Sequence, residues 1–257
     1  MSSGVGAVLL AGGRTKGELV ARTRQPYRAL IPVGGRTLLE HTMAALAAAR
    51  TVEYTIVVGP AECRPWVSAV GGPFGWMPMG ETMVDNLLAG VHSLGSEAET
   101  VLACAADAPL ISGPLIDRIV SVSHERGHAF CYPIVEREVC QAAFPEGKRT
   151  YVRLRDGRFT GGNVLTASRR LLLEHHERIA EVFAARKSPL KLASLLGLGL
   201  ALRLPLGLVS VRQAEQRAGQ ILGFPVSAWI CDDPAVGVDV DKVADLDTVE
   251  AALAQLA

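Results

Sequence analysis

The sequence predicts an α/β fold with three layers, α/β/α, in which helices cover both faces of a mixed, mostly parallel sheet. Two observations predict it. Apolar runs of strand length alternate along the chain with segments of helical periodicity. The first of these runs are apolar at nearly every position, which is typical of strands buried on both faces. We expect one domain over residues 1–257, with a less regular lobe at roughly residues 130–225.

The first half of the chain supplies the regular part of this pattern. Buried strands are predicted at residues 5–10, 54–58 and 100–106. The polar residues 14–25 are expected to form a loop. Thr37 and Glu40 have the spacing of a capping box, which predicts a helix from there to about residue 50. A second helix is predicted over residues 81–94, where apolar residues recur at helical spacing up to a glycine.

The second half alternates less regularly. Ser112 and Pro114 predict the start of a helix, because serine caps helices and proline favours their first turn. Ser210 and Gln213 predict a second capping box. Further strands are predicted at residues 130–133, 139–144, 165–168, 225–230 and 236–240, and further helices at residues 169–184, 189–196, 210–223 and 243–256. We expect the irregular lobe to lie over the carboxyl edge of the sheet, where open α/β sheets bind their ligands.

Composition and charge exclude several classes of protein. Hydrophobic residues make up 49% of the chain and charged residues 20%, which excludes a disordered chain. Because 26 basic residues balance 26 acidic ones, we expect no nucleic-acid partner. The most apolar stretch is interrupted by Arg203 and Pro205, so we expect no membrane span. Five scattered cysteines without a CxxC pair predict reduced thiols and a cytoplasmic location, while the oligomeric state stays open.

A glycine turn directly follows the first predicted strand. Gly12 and Gly13 let the backbone approach a ligand and offer N–H groups to phosphates, and Arg14 adds positive charge. The turn contains neither the GxGxxG nor the GxxxxGK[ST] motif, so an ordinary βα turn is the alternative. Arg28 precedes a second glycine pair and is a further candidate cation, with a solvated loop arginine as its alternative.

Three aspartates are candidate ligands of a divalent cation. Asp107 follows the predicted strand 100–106, at the sheet edge where such cations are commonly held. Asp239 and Asp241 alternate along a predicted strand, which places both carboxylates on one face. Carboxylate oxygens on one side suit Mg²⁺, which keeps its other positions for water and phosphate. The alternative is that these aspartates only cap helices or form turns.

These motifs together resemble the nucleotidyltransferases with a molybdenum cofactor guanylyltransferase-like fold, whose relatives include the nucleotide-sugar pyrophosphorylases and the cytidylyltransferase of isoprenoid synthesis. The resemblance is carried by residues 10–13, 28–41, 86–90, 107–110, 161–163 and 239–246. It implies the nucleotide-diphospho-sugar transferase-like variant of the fold. The chain departs from the family pattern at Tyr27 and Arg28, where the family has proline and lysine. Arginine keeps the positive charge there but offers a planar fork in place of a point charge.

The resemblance also implies roles for individual residues. The nucleotide would be bound by Leu10, Ala11, Gly12, Gly13, Arg14, Arg28, Asn86 and Gly90. The acceptor would be bound by Gly161, Gly162, Asn163 and Lys191. Asp107 and Asp239 would hold Mg²⁺, with Asp241 as the alternative to Asp239. Arg14 and Arg28 would neutralise the leaving pyrophosphate, so these two arginines join Asp107 and Asp239 as the expected catalytic residues.

The implied activity is that of a Mg²⁺-dependent nucleotidyltransferase. It would transfer the NMP group of a nucleoside triphosphate (NTP) to a small phosphorylated acceptor and release pyrophosphate. Whether CTP or GTP is the donor, and which acceptor is used, stays open. Two other classes are alternatives. A GT-A glycosyltransferase is suggested by the DxD pattern of Asp239 and Asp241, and a non-catalytic nucleotide-binding module by the departure at Tyr27 and Arg28.

Overall fold

In the part of the chain that the structure describes, nine strands form one mixed sheet through the middle of the molecule. The computed structural model describes residues 4–127, 129–147, 149–185, 194–195 and 197–256. Its strands are β1 (Gly4–Leu10), β2 (Pro32–Val33), β3 (Arg36–Thr37), β4 (Val52–Gly59), β5 (Phe74–Pro78), β6 (Ala98–Ala105), β7 (Phe130–Glu136), β8 (Val152–Leu154), β9 (Gly157–Gly161), β10 (Val164–Ser168) and β11 (Val226–Cys231). Its helices are α1 (Gly17–Thr23), α2 (Leu38–Ala48), α3 (Arg64–Val70), α4 (Met83–Ser93), α5 (Gly113–Arg126), α6 (Arg137–Ala143), α7 (Arg169–Glu174), α8 (His176–Ala185), α9 (Leu198–Arg203), α10 (Val211–Leu222) and α11 (Val243–Leu256). The short strands β2 and β3 form a separate hairpin.

The strand order places β1 and β6 at the centre of the sheet. Strands β5, β4, β1 and β6 are neighbours in that order and run parallel. Strand β10 pairs antiparallel with β6 and with the first residues of β7. Strand β11 pairs in parallel with β7, and the β8–β9 hairpin continues the sheet along the last residues of β7. The carboxyl ends of β1, β4 and β6 therefore lie at one edge.

Two apolar cores flank the sheet and explain why its central strands carry few polar residues. Side chains of β1 alternate between them. Ala7 and Leu9 belong to the core that includes α2 and α5, and Val8 belongs to the core that includes α4 and α7. All three are fully buried. Because both faces of β1 are covered, the strand has no polar face. The predicted three-layer α/β/α arrangement with a mostly parallel mixed sheet is confirmed.

Capping residues set two helix starts that the sequence predicts. Thr37 Oγ1 accepts a hydrogen bond from the Glu40 N–H at 3.2 Å, and Glu40 Oε2 accepts one from the Thr37 N–H at 2.7 Å. Ser210 and Gln213 repeat this arrangement at the start of α10, with distances of 3.2 and 3.0 Å. A cap of this kind contributes about 1 kcal/mol to stability. Both predicted capping boxes are confirmed.

Three segments differ from their prediction. Residues 14–25, expected to be a loop, contain α1, which buries only Leu19 and so gives no periodic signal. Residues 139–144, predicted as a strand, lie mostly in α6, because a short apolar run does not distinguish a strand from a helix. Residues 236–240, predicted as an edge strand, contain the end of a 3₁₀ turn, Pro234–Gly237, followed by an extended segment outside the sheet.

Other elements are shorter than expected or have no clear sequence signal. The predicted helix over residues 169–184 is divided at His175 into α7 and α8. Neither β5 nor the β8–β9 hairpin is predicted by the sequence, since β5 contains Gly75 and Pro78, residues that are depleted in strands, and β8 and β9 are only three and five residues long. The predicted helix over residues 189–196 falls largely outside the described residues. Within the described part of the chain, no helix combines the length and the apolar character needed to cross a membrane.

The five cysteines are expected to be chemically inert in the folded protein. All five are free and buried, and burial raises the pKa of each thiol, that of Cys63 to about 12. Since the thiolate is the nucleophile, the native protein should react very slowly with Ellman's reagent, and all five thiols should react once guanidinium unfolds the chain. A thiol that reacts within seconds in the native protein would contradict this prediction.

Candidate active site

Three carboxylates meet at the carboxyl edge of the sheet. Asp107 follows β6 after a single intervening residue, and Asp239 and Asp241 lie in the extended segment before α11. One carboxylate oxygen from each residue lies within 4.8 Å of the others. The Val240 N–H donates to the Asp107 carbonyl oxygen at 3.0 Å, which holds the two segments together. The structure thus brings the three aspartates together although residues 236–240 are not a strand.

This carboxylate cluster has the charge and the donor atoms of a metal site. Asp107 is only 7% exposed, and Asp241 is exposed. Burial raises the pKa of Asp107, the Arg28 guanidinium opposes this rise, and the Asp239 carboxylate adds to it. Oxygen donors of like charge that are held this close repel one another until a cation is bound between them. Hard divalent cations prefer such oxygen donors, so the cluster could hold a metal ion.

Arg28 lies between the carboxylate cluster and the glycine turn. Its Nε is 2.9 Å from Asp107 Oδ2, and its Nη1 contacts Asp241 Oδ1. The buried Nε–H is not directed at an acceptor, so within the described structure this donor has no hydrogen-bond partner. The backbone N–H of Arg28 donates to the Gly13 carbonyl oxygen at 2.8 Å. Arg28 therefore neutralises two carboxylates and holds its guanidinium beside the glycine turn.

Arg149 is a residue of the site that the sequence analysis misses. Its Nη1 donates to Asp239 Oδ1 at 2.7 Å, and its Nη2 donates to the Asp239 carbonyl oxygen at 3.2 Å. The two side chains are largely buried, with 15% and 23% of their surfaces exposed. This pair fixes the orientation of Asp239. Arg149 belongs to no motif, and only its position in space identifies it.

The glycine turn continues directly from the centre of the sheet. The Ala106 N–H donates to the Leu10 carbonyl oxygen at 3.1 Å, and the Ala11 N–H donates to the Val58 carbonyl oxygen at 2.8 Å. These bonds extend the parallel ladder up to the start of the turn. The turn is therefore held in a fixed position at the sheet edge where the carboxylate cluster lies.

The two glycines of the turn allow close contacts that a larger residue would prevent. A Cβ atom at Gly12 would lie 3.0 Å from Met79 Sδ. A Cβ atom at Gly13 would lie 2.7 Å from Arg28 Nη2. Any side chain at position 13 would therefore displace the guanidinium from its place beside Asp107.

Of the two other cations predicted for the site, Arg14 and Lys191, the structure describes Arg14. Arg14 is exposed at the rim, where its guanidinium carbon lies 5.2 Å from the centre of the Tyr27 ring. The two residues also form an isolated antiparallel bridge. Among the described residues, Arg14 forms no ion pair with the carboxylate cluster. Lys191 lies outside the described residues.

Asn86 and Gly90 lie on α4, which faces the turn. Asn86 Oδ1 accepts a hydrogen bond from the Gly80 N–H at 2.6 Å, and its Nδ2 lies 3.6 Å from the position of a Cβ at Gly12. The amide N–H₂ of Asn86 is therefore presented to the glycine turn. A Cβ at Gly90 would lie 2.5 Å from Val8 Cγ1, so this glycine lets α4 approach β1 closely.

The turn between β9 and β10 lies beside the end of β6. The Ala105 N–H donates to the Asn163 carbonyl oxygen at 2.9 Å, and the Asn163 N–H donates to the Val236 carbonyl oxygen at the same distance. Gly161 and Gly162 precede Asn163, and neither has room for a Cβ atom. Because Ala105 is two residues before Asp107, these bonds place the three residues near Asp107, on the side of β6 away from β4.

Comparisons with known proteins identify the family and the fold of this chain. The sequence profile of the MobA-like NTP transferase domain matches residues 7–190. A solved structure described as a hypothetical transferase from Thermus thermophilus is 33% identical, with a TM-score of 0.81. The match covers 95% of this chain and 99% of that chain. A search of curated proteins finds no significant match.

Two further solved structures are similar at lower identity. One is a 4-diphosphocytidyl-2C-methyl-D-erythritol synthase from Anaerococcus prevotii DSM 20548, with 14% identity, a TM-score of 0.64 and coverage of 98% of this chain and 96% of that chain. The other is a CMP:2-keto-3-deoxy-manno-octonic acid synthetase complexed with CTP, with 16% identity, a TM-score of 0.66 and coverage of 99% and 100%. At these identities the likeness concerns the fold, and it confirms the predicted fold class.

Proposed function

Because this chain belongs to the family of MobA-like NTP transferase domains and is therefore a nucleotidyltransferase, we propose that it transfers the NMP group of an NTP to a small phosphorylated acceptor, with Mg²⁺ as cofactor and pyrophosphate as the second product. The observation that carries this proposal is the convergence of Asp107, Asp239 and Asp241 beside the glycine turn. Three carboxylates within 4.8 Å of one another suit a divalent cation, and the turn offers backbone N–H groups to phosphates.

The reaction needs alignment and charge neutralisation more than a reactive side chain. A phosphate oxygen of the acceptor forms a bond to the α-phosphorus, the bond from that phosphorus to the bridging oxygen breaks, and pyrophosphate leaves with the electron pair. The attacking oxygen is already anionic, so no serine or cysteine nucleophile is required. Most of the rate enhancement then comes from positioning and from preorganised charges.

Individual residues have separable roles in this proposal. Asp107 and Asp239 hold Mg²⁺, with Asp241 as a further oxygen donor. When bound, Mg²⁺ supplies charge neutralisation at the α-phosphate. Arg28 places its guanidinium beside the glycine turn, where its charge neutralises the leaving pyrophosphate, and Arg149 keeps Asp239 oriented.

The remaining predicted residues divide between the two substrates. On the nucleotide side, the turn is formed by Leu10, Ala11, Gly12, Gly13 and Arg14, and Asn86 presents its amide to it from α4. On the acceptor side we place Gly161, Gly162, Asn163 and Lys191. A neighbour of the same fold was solved with CTP, which makes CTP, together with GTP, the first nucleotide to test.

A thermal-shift panel of CTP, GTP, ATP and UTP, each with and without Mg²⁺, tests the proposal. One NTP at about 100 times its dissociation constant should stabilise the chain by ~2.7 kcal/mol, which raises the Tm of a domain of this size by about 5 °C or more. The shift should require Mg²⁺. For the NTP that binds, pyrophosphate release is then measured with phosphorylated acceptors. The absence of any Mg²⁺-dependent shift would contradict the proposal, and a shift with nucleotide sugars alone would indicate glycosyl transfer instead.

A further inference from the structure

An apolar cavity of about 450 Å³ lies between one face of the sheet and the helices α4 and α8. Ala103 and Leu165 line it from the sheet, Leu87 lines it from α4, and Val182 and Phe183 line it from α8. A cavity of this size is in the range of ligand pockets, about 300–1,000 Å³.

One end of the cavity lies at the candidate active site. Leu10, Ala105 and Asn163 line it there. Leu10 is two residues before Gly12, and Ala105 is two residues before Asp107. From this end the cavity extends down the sheet face to the Ala103–Leu165 pair of β6 and β10. A molecule whose phosphate lies at the carboxylate cluster could therefore place its other end in the cavity.

The lining determines which kind of molecule fits. Among the described residues that line the cavity, none carries a formal charge, and only Tyr132 and Asn163 have side chains that form strong hydrogen bonds. A sugar or another polyhydroxylated group would lose its hydrogen bonds to water there, and each hydroxyl left without a partner would weaken its binding. A hydrocarbon chain loses none, and it gains from the burial of its apolar surface.

We propose that this cavity binds the hydrocarbon part of the acceptor, which is then a phosphate monoester of an extended apolar chain. The inference rests on the proposed nucleotidyl transfer and specifies its acceptor. The monoester oxygen bonds to the α-phosphorus, pyrophosphate leaves, and the product is a nucleoside diphosphate ester of the hydrocarbon. The phosphate lies at the sheet edge, and the chain lies against β6, β10 and α8.

Binding of butyl, hexyl and octyl phosphate, measured by calorimetry without any NTP, tests the proposal on the unmodified protein. Affinity should rise about threefold to fourfold for each added methylene group, because each is buried in the cavity. Inorganic phosphate should bind most weakly. Affinity that does not depend on chain length would overturn the proposal.

A variant that fills the cavity provides a second, independent test. Val182→Trp places an indole in the cavity from α8 and should lower the affinity for octyl phosphate at least tenfold without changing that for inorganic phosphate. Ala184→Trp adds the same side chain at an exposed position of α8 and should change neither. If Val182→Trp lowers the Tm of the free protein, Leu87→Phe serves as the second filling variant. Equal octyl phosphate binding by wild type and a folded filling variant would overturn the proposal.

The same samples separate this inference from the proposed function. Val182→Trp should bind the NTP and Mg²⁺ as the wild type does, since Val182 lies on α8, which carries none of the residues assigned to the nucleotide. NTP binding without any dependence on alkyl chain length overturns the hydrocarbon acceptor and supports nucleotidyl transfer. Chain-length dependence without NTP binding overturns nucleotidyl transfer, and with it the assignment of the cavity to an acceptor.

Discussion

Asp107→Asn is expected to abolish nucleotidyl transfer while leaving the fold intact. The substitution removes the negative charge of the most buried carboxylate in the cluster and keeps its shape. A metal ion in such a site stabilises the transition state by several kcal/mol, so kcat should fall by about 1,000-fold or more, equivalent to ~4 kcal/mol. Pyrophosphate release with the NTP identified by the thermal-shift panel measures the effect.

Stability should change little in this variant, and the sign of any change is set by the pKa of Asp107. Burial raises that pKa, so the folded chain holds the proton more tightly than the unfolded chain. The contribution of Asp107 to stability therefore falls as the pH rises from its pKa in the unfolded chain through its pKa in the folded chain. At neutral pH the asparagine variant should be as stable as the wild type, or more stable, when no metal is present. The Mg²⁺-dependent shift with NTP should be lost.

Asp117→Asn is the matched control at a half-buried aspartate remote from the site. Burial acts to raise the pKa of Asp117, but hydrogen bonds from Thr51 and Arg50 outweigh it and hold the pKa below its ordinary value. This contribution to stability is present above the pKa of the unfolded chain and is lost as the pH falls. Asp117→Asn should thus lower the unfolding free energy by about 1–2 kcal/mol at neutral pH and leave kcat unchanged.

If Asp107→Asn kept full activity, Asp107 would not be a metal ligand.

The position of Asp107 could be predicted because it depends on local sequence and a general rule of topology. A continuous apolar run marks β6 as buried, and the residues after parallel strands meet at the carboxyl edge. The same rule brings the turn at Gly12 to that edge, since β1 and β6 are neighbours. Both placements require only that the strands exist and run parallel.

The alternation of Asp239 and Asp241 predicts their common face for a reason that is only half correct. The segment is extended, as alternation requires, but it is not a strand of the sheet. Individual hydrogen bonds hold it in place, from the Val240 N–H to the Asp107 carbonyl oxygen and from the Arg149 guanidinium to Asp239. Local pattern gives the backbone conformation, whereas the pairing partner depends on the whole fold.

Long-range contacts account for most of what the sequence does not predict. Arg149 is 90 residues from Asp239, and only the fold of the intervening chain brings the two side chains together. The apolar cavity is formed by residues of β6, β10, α4 and α8, each of which has the ordinary sequence pattern of a core element. Only their arrangement in space leaves the volume between them unfilled.

Arg28→Met should lower kcat about 100- to 1,000-fold, the effect of removing one preorganised donor from a charged transition state. Methionine keeps most of the apolar length of the side chain but removes the cation that contacts Asp107 and Asp241. Because the Arg28 guanidinium lowers the pKa of Asp107, its loss should raise that pKa further. When the pH is lowered, the Mg²⁺-dependent stabilisation by NTP should therefore be lost earlier, at a higher pH, in this variant than in the wild type.

Arg28→Lys separates the need for a positive charge from the need for a forked side chain. Lysine restores the charge, but a single ammonium group cannot contact Asp107 and Asp241 as the two nitrogens of the guanidinium do. If charge is what the pyrophosphate requires, kcat of the lysine variant should stay within about tenfold of the wild type. If it falls as far as that of Arg28→Met, the fork is essential, and the arginine at this position is a specific adaptation of the chain. Wild-type kcat in Arg28→Met would show that Arg28 only neutralises the carboxylates and has no role in transfer.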